Sequence, residues 1–185
     1  MRTAPPAPLI RAWIPERSLA VDGGLVIAFS LFIALMARIA IPLPFTPVPI
    51  TGQTFAVLLC GALLGARLGT AATLAYVTEG LLGLPVFAAA AGSFTYGYLA
   101  GFVAAALVVG WFADRGWTRD FPLTIVAMLA GEVAIYFFGL LWLAHLVPPD
   151  KVLVFGLYPF LIGDAIKLVA AALIVPAGWR LRRAR

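Results

Sequence analysis

The run Tyr158–Val175 reads YPFLIGDAIKLVAAALIV, an apolar stretch interrupted only by Asp164 and Lys167. A charge at a bilayer centre costs roughly 2.5–3.5 kcal/mol on insertion scales, so two in one membrane helix call for a reason. At a spacing of three they share one helix face, where they either pair with each other or both turn towards a bound solute. An ion pair that only glues this helix into a bundle explains the same residues. A polar pocket facing the bundle interior is the preferred reading.

The rest of the chain has the composition of a membrane protein. Its 185 residues are 63% hydrophobic and 11% charged, with a mean hydropathy of +1.05. A soluble domain carries about 25% charge, so the apolar surplus must face lipid. The net charge of +5 does not indicate nucleic acid, because the arginines sit between apolar runs and form no stripe with interleaved aromatics. The single cysteine, Cys60, excludes an internal disulfide and reads as a small core residue. Residues 1–22 read as a polar N-terminal tail with an interfacial stretch near Trp13, and 180–185 as a basic tail. No cleaved signal-peptide pattern is present in the first twenty residues.

Between the tails, residues 23–179 form one membrane domain with six apolar runs: Gly24–Ile41, Gln53–Gly65, Gly69–Leu84, Thr95–Phe112, Pro122–Leu146 and Pro159–Val175. A span takes roughly 20 residues, so the second and third are short. Arg67 and Gly69 punctuate the turn between them. Six spans place both termini on one side, together with Arg2, Arg11, Arg17, Arg67, Arg115, Arg119, Arg180, Arg182, Arg183 and Arg185; the other side holds only Lys151. The positive-inside rule then puts both termini in the cytoplasm. The expectation is an all-α integral membrane protein, a six-helix bundle in the cell (inner) membrane.

Two outer connections carry almost no charge. Pro42–Gln53 has four prolines in eight residues and cannot continue a helix, so it forms a stiff loop that is either a connector or a lid. Gly83–Tyr98 gathers glycines, hydroxyls and two tyrosines, as interfacial anchors or as a platform for a flat ligand. Within the spans, Arg38 reads as snorkelling to the interface. Glu79 lies at the depth of Asp164 and is a pocket candidate, whereas Glu132 reads as structural. His145 has no second histidine or nearby cysteine with which to bind metal. No phosphate-binding G-x-x-x-x-G-K-[ST] loop occurs, nor the G-x-S-x-G or H-E-x-x-H patterns of hydrolases. Transport would therefore need a partner or an ion gradient. A membrane enzyme using Asp164, Glu79 or Glu132 would lack a nucleophile or metal, and a purely structural subunit would bind no soluble ligand.

Pro47-Val-Pro-Ile-Thr-Gly-Gln-Thr-Phe55, Tyr76 with Gly80-Leu-Leu-Gly-Leu-Pro-Val-Phe87, Gly97-Tyr-Leu-Ala-Gly-Phe102 and Pro159-Phe-Leu-Ile-Gly-Asp-Ala-Ile-Lys167 together resemble the BioY family of biotin transporters over about Leu25–Val175. BioY proteins are substrate-binding S components of energy-coupling factor (ECF) transporters. The resemblance implies a non-enzymatic subunit that captures biotin at the outer face without a cofactor. It further implies a T-type transmembrane coupling protein and two ABC-type ATPases as partners, or a homo-oligomer where the protein acts alone. Ser93-Phe-Thr-Tyr-Gly-Tyr-Leu99 departs from the family's usual G-P-T-G-G-Y-L, which bears on ligand detail.

Biotin has an apolar bicyclic body, a ureido group and a carboxylate, and suits an apolar pocket with a few polar groups. On this reading Asp164 accepts an N–H, Lys167 donates to a carbonyl or carboxylate, Thr51 and Gln53 add hydrogen bonds at the lid, and Phe87 or Tyr98 covers the ring. Glu79 completes the candidate set. Small residues Ser30, Ala34 and Ala37 on the first helix are the candidate contacts for a coupling protein.

Overall fold

Ser18 starts the first long helix by accepting a hydrogen bond from the Val21 amide at 3.3 Å, the usual way of satisfying an orphan donor at a helix N-terminus. The computed structural model describes residues 7–16, 18–88 and 92–183. A short helix α1 (Leu9–Trp13) precedes α2 (Leu19–Ala37), followed by α3 (Gln53–Leu81), α4 (Tyr96–Asp114), α5 (Phe121–Leu143), a short α6 (Val152–Gly156) and α7 (Leu161–Arg183). Among the described residues, five helices are long and apolar enough to cross a membrane. The chain is a multi-pass helical membrane protein.

α2 is apolar beyond Asp22 and turns one face inward. Ser30, Ile33, Ala34 and Ala37, at helical spacing, are buried against the body of the bundle, whereas Ile27, Leu31 and Leu35 are each more than half exposed. Ser30, Ala34 and Ala37 admit the neighbouring helix closely, and Ile33 fills the same face.

α3 is two arms joined by an elbow. Gly65 has φ 82° and ψ 179° in the middle of it, a conformation essentially confined to glycine. The arms 53–64 and 66–81 fold back on each other: Gln53 Nε2 donates to Tyr76 Oη at 2.6 Å, and Cys60 Sγ lies 3.7 Å from the Gly69 carbonyl. The break thus falls at Gly65, with Arg67 and Gly69 already inside the second arm. Two neighbouring glycines make room for this: a Cβ on Gly69 would come within 3.0 Å of the Gly61 Cα. α4 grips the elbow through Gly110, which lies against the backbone of Gly65 and Ala66, and through Asp114 one turn on, whose Oδ2 accepts the Ala66 amide at 3.1 Å.

The other helices close around this hairpin. α3 packs most extensively on α4, α4 on α5, and α7 touches both α3 and α5. α1 lies across the elbow end: Leu9 is buried beside Gly178, and Arg182 Nε donates to the Ala12 carbonyl at 2.7 Å. The elbow end carries Arg11, Arg67, Arg115, Arg119, Arg180 and Arg182, while the opposite end carries Arg38 and Lys151. Arg2, Arg17 and Arg185 lie outside the described residues, as do Ala89, Ala90 and Ala91 of the second outer connection.

Several boundaries differ from the apolar runs, beginning with α2, which starts at Leu19 and not at Gly24. The first helix stops at Ala37, because Ala40–Ile41 leaves it to pair antiparallel with Ile50–Thr51, Ala40 opposite Thr51. That small sheet closes the proline loop into a hairpin and is a β element in an otherwise helical fold. α5 ends at Leu143, with residues through Val147 continuing as turns. α7 continues past Val175 through Pro176 to Arg183, carrying Arg180 and Arg182 with it.

Candidate functional site

A cavity of about 590 Å³ opens at the end of the bundle away from the elbow. Its walls come from the starts of α3, α4 and α7, the outer half of α5, and the loops around Val48 and Phe87. Val48, Pro49, Leu99, Phe102, Ile135 and Phe160 make most of it apolar, and the polar groups converge on one side. An apolar wall with a few convergent polar groups is the chemistry of a small-molecule site.

The polar side is built on Asp164. α7 begins at Leu161, so Asp164 sits in its first turn, its amide bonded to the Phe160 carbonyl at 2.8 Å. Lys167, three residues on, donates to Asp164 Oδ1 at 2.8 Å and to Thr54 Oγ1 at 3.2 Å. Thr54 in turn donates to Oδ1 at 3.0 Å, and Tyr136 donates to Oδ2. Asp164 is only 6% exposed, and both charged residues face the cavity. The pair is at once a link between α7 and α3 and a wall of the pocket, so the two readings of these residues describe one arrangement.

The lid end is fixed by side chains that bind backbone. Thr46 Oγ1 donates to the Phe155 carbonyl at 2.8 Å and accepts from the Val48 amide at 3.2 Å, tying the proline loop to α6. Tyr98 Oη donates to the Gly156 carbonyl at 2.8 Å, which spends its hydroxyl on α6 and leaves its ring to the cavity. Gly139 makes space for that ring on α5. Phe87 packs edge-on against Tyr76, ring centres 5.6 Å apart, over Gly80.

Of the residues singled out by sequence, Asp164, Lys167, Thr51, Gln53, Phe87 and Tyr98 all line this cavity. Glu79 does not. It accepts a 2.9 Å hydrogen bond from Ser30 across the α2–α3 contact, outside the lining. Glu79→Gln, which can still accept from Ser30, is therefore expected to leave ligand affinity within about twofold of wild type, measured by titration calorimetry. A larger loss would place Glu79 in the pocket after all. Glu132 also lies outside the lining; it is buried, with neither carboxylate oxygen hydrogen-bonded among the described residues.

Ser30, Ala34 and Ala37 are 0%, 8% and 0% exposed. The face they form is filled within the chain and is not open to a second protein. Small residues at helical spacing mark a close helix approach, but not whose helix approaches. Thr54, Tyr136 and Thr46 were missed. Thr54 directly follows Gln53 and was within reach of the motif; a lone tyrosine in an apolar helix carries no such signal.

This arrangement has relatives. The BioY family matches residues 14–184 of the chain. A biotin transporter BioY from Thermotoga maritima is 40% identical over 79% of this chain and 88% of its own length. A probable biotin transporter BioY from Pyrococcus horikoshii is 36% identical over 78% of this chain and 90% of its own. Among solved structures, the S-component for biotin from an ECF-type ABC transporter superimposes with a TM-score of 0.75 at 28% identity, over 91% of this chain and 95% of the other. With a family match across nearly its whole length and relatives above 30% identity, the chain belongs to the BioY family.

Proposed function

We propose that this protein is the biotin-binding S component of an ECF-type vitamin uptake transporter, taking biotin from the outer side of the cell membrane. The observation that carries the reading is the Asp164–Lys167 pair. It is set at one side of an otherwise apolar cavity, in a fold shared with a solved S-component for biotin. An apolar wall receives the bicyclic ring and chain, and the pair supplies the few directional contacts that a urea or carboxylate needs. Thr51 and Gln53 extend that polar side, while the rings of Tyr98 and Phe87 cover the ligand.

Counting each arm of α3 as one pass gives six, with both termini in the cytoplasm. The arginine-rich elbow end supports this orientation by the positive-inside rule. Energy comes from outside the chain, through a T-type coupling protein and two ABC-type ATPases, or through self-association in membrane lipid where no such module serves it.

Biotin titrated into detergent-purified protein is expected to bind one per chain with a dissociation constant of about 100 nM or tighter. A folded protein that ignores biotin but takes up another vitamin would retain the S-component reading and overturn the ligand.

A further inference from the structure

We propose that Tyr136 is a specificity-determining residue: by holding one acceptor site of Asp164 it restricts the polar side of the pocket to a neutral N–H/C=O edge. The inference rests on the biotin reading above and goes beyond it, because it assigns which ligand chemistry the buried pair accepts and which it rejects.

An ionised carboxylate offers about four lone-pair sites. On Asp164 two of these, both on Oδ1, take Thr54 and Lys167, and one on Oδ2 takes Tyr136. One acceptor site remains, on Oδ2. Lys167 has three N–H donors, of which Thr54 and Asp164 use two. One donor remains. All four side chains line the cavity, so a ligand meets a single acceptor beside a single donor.

A urea or amide edge, one N–H next to one C=O, is complementary to that pair. A cyclic guanidinium is not. It presents two N–H groups along one edge, which need two acceptor sites where Asp164 keeps only one, and it has no carbonyl for the Lys167 proton. A carboxylate end would meet the remaining lone pair of Asp164 head on. The Tyr136 hydroxyl is the element that could be removed without touching either charge, and its loss returns a second acceptor site to Oδ2.

The test compares biotin with 2-iminobiotin, in which a guanidine replaces the urea and is a cation at neutral pH. Wild type and Tyr136→Phe are titrated with each by calorimetry. The preference of wild type for biotin is expected to shrink by about tenfold in Tyr136→Phe, a factor typical of one hydrogen bond to a charged group. Biotin should weaken while 2-iminobiotin holds or gains. Tyr136→Gln, which restores an N–H donor, should recover most of the preference. Should Tyr136→Phe fail to fold, Tyr136→Gln and its donor-free counterpart Tyr136→Met form an equivalent pair. A ratio unchanged within about twofold, with both ligands weakened together, would show Tyr136 to be a packing residue and overturn the inference alone. Failure of wild type to bind biotin at all would remove the biotin assignment and this inference with it.

Discussion

Lys167→Ala is expected to weaken biotin binding by about 100-fold or more while leaving a folded protein. The side chains of Asp164 and Lys167 are 8% and 19% exposed, so neither charge has much water to fall back on. Removing the ammonium leaves Asp164 as a buried anion whose remaining donors are the hydroxyls of Thr54 and Tyr136. Breaking a buried pair from one side commonly costs about 3–5 kcal/mol. Part of that falls on folding and part on the ligand that the lost N–H would have met. Asp164→Asn should have a smaller effect, about tenfold or more, because a carboxamide preserves shape and one acceptor. Calorimetry reads the affinity, and thermal denaturation in detergent separates it from folding. Wild-type affinity in a folded Lys167→Ala protein would remove this pair from the binding site.

The second large effect is expected at the far end of the molecule. Gly65→Ala should destabilise the protein by about 3 kcal/mol or more, since a non-glycine residue in this backbone region costs about 1–3 kcal/mol before any clash. The added methyl group would also press on the Asp114 carboxylate and lie 3.0 Å from the Pro8 Cγ. Moving Asp114 loosens its bond to the Ala66 amide, which is part of what holds the elbow to α4. Gly24→Ala is the control: nothing lies within 4 Å of a Cβ there, so its melting should stay close to wild type. Because the elbow is remote from the cavity, the Gly65→Ala molecules that do fold should bind biotin as wild type does. Equal melting of Gly65→Ala and Gly24→Ala would mean that the elbow is not rigidly specified.

How much of this was legible beforehand depended on what kind of signal each residue carries. Asp164 and Lys167 stand out because burying a charge in an apolar run is costly, and the chain retains two. Gln53, Thr51 and the proline loop were readable from motif and backbone chemistry together. Tyr136 was not, because a tyrosine in a membrane helix serves equally as an anchor, a packing group or a donor, and only its partner decides. Ser30, Ala34 and Ala37 show a different ambiguity: their lack of bulk was visible, but the direction in which it is used depends on how α2 is turned. The elbow was located to within a few residues. Hydropathy falls at Arg67, whereas the actual break is a torsion at Gly65, and torsions leave little trace in composition.

The arms of α3 are short for a membrane span, and one of them starts at the cavity. At about 1.5 Å per residue the arm 53–64 is about 18 Å long, against a hydrocarbon thickness of about 30 Å. Gln53 and Thr54, its first two residues, are also part of the cavity wall, so the helix begins where the site begins. The arm is thus about 12 Å shorter than the hydrocarbon thickness of a bilayer. Helix and site share one boundary there: a further helical turn at the head of that arm, about 5.4 Å, would intrude on the cavity.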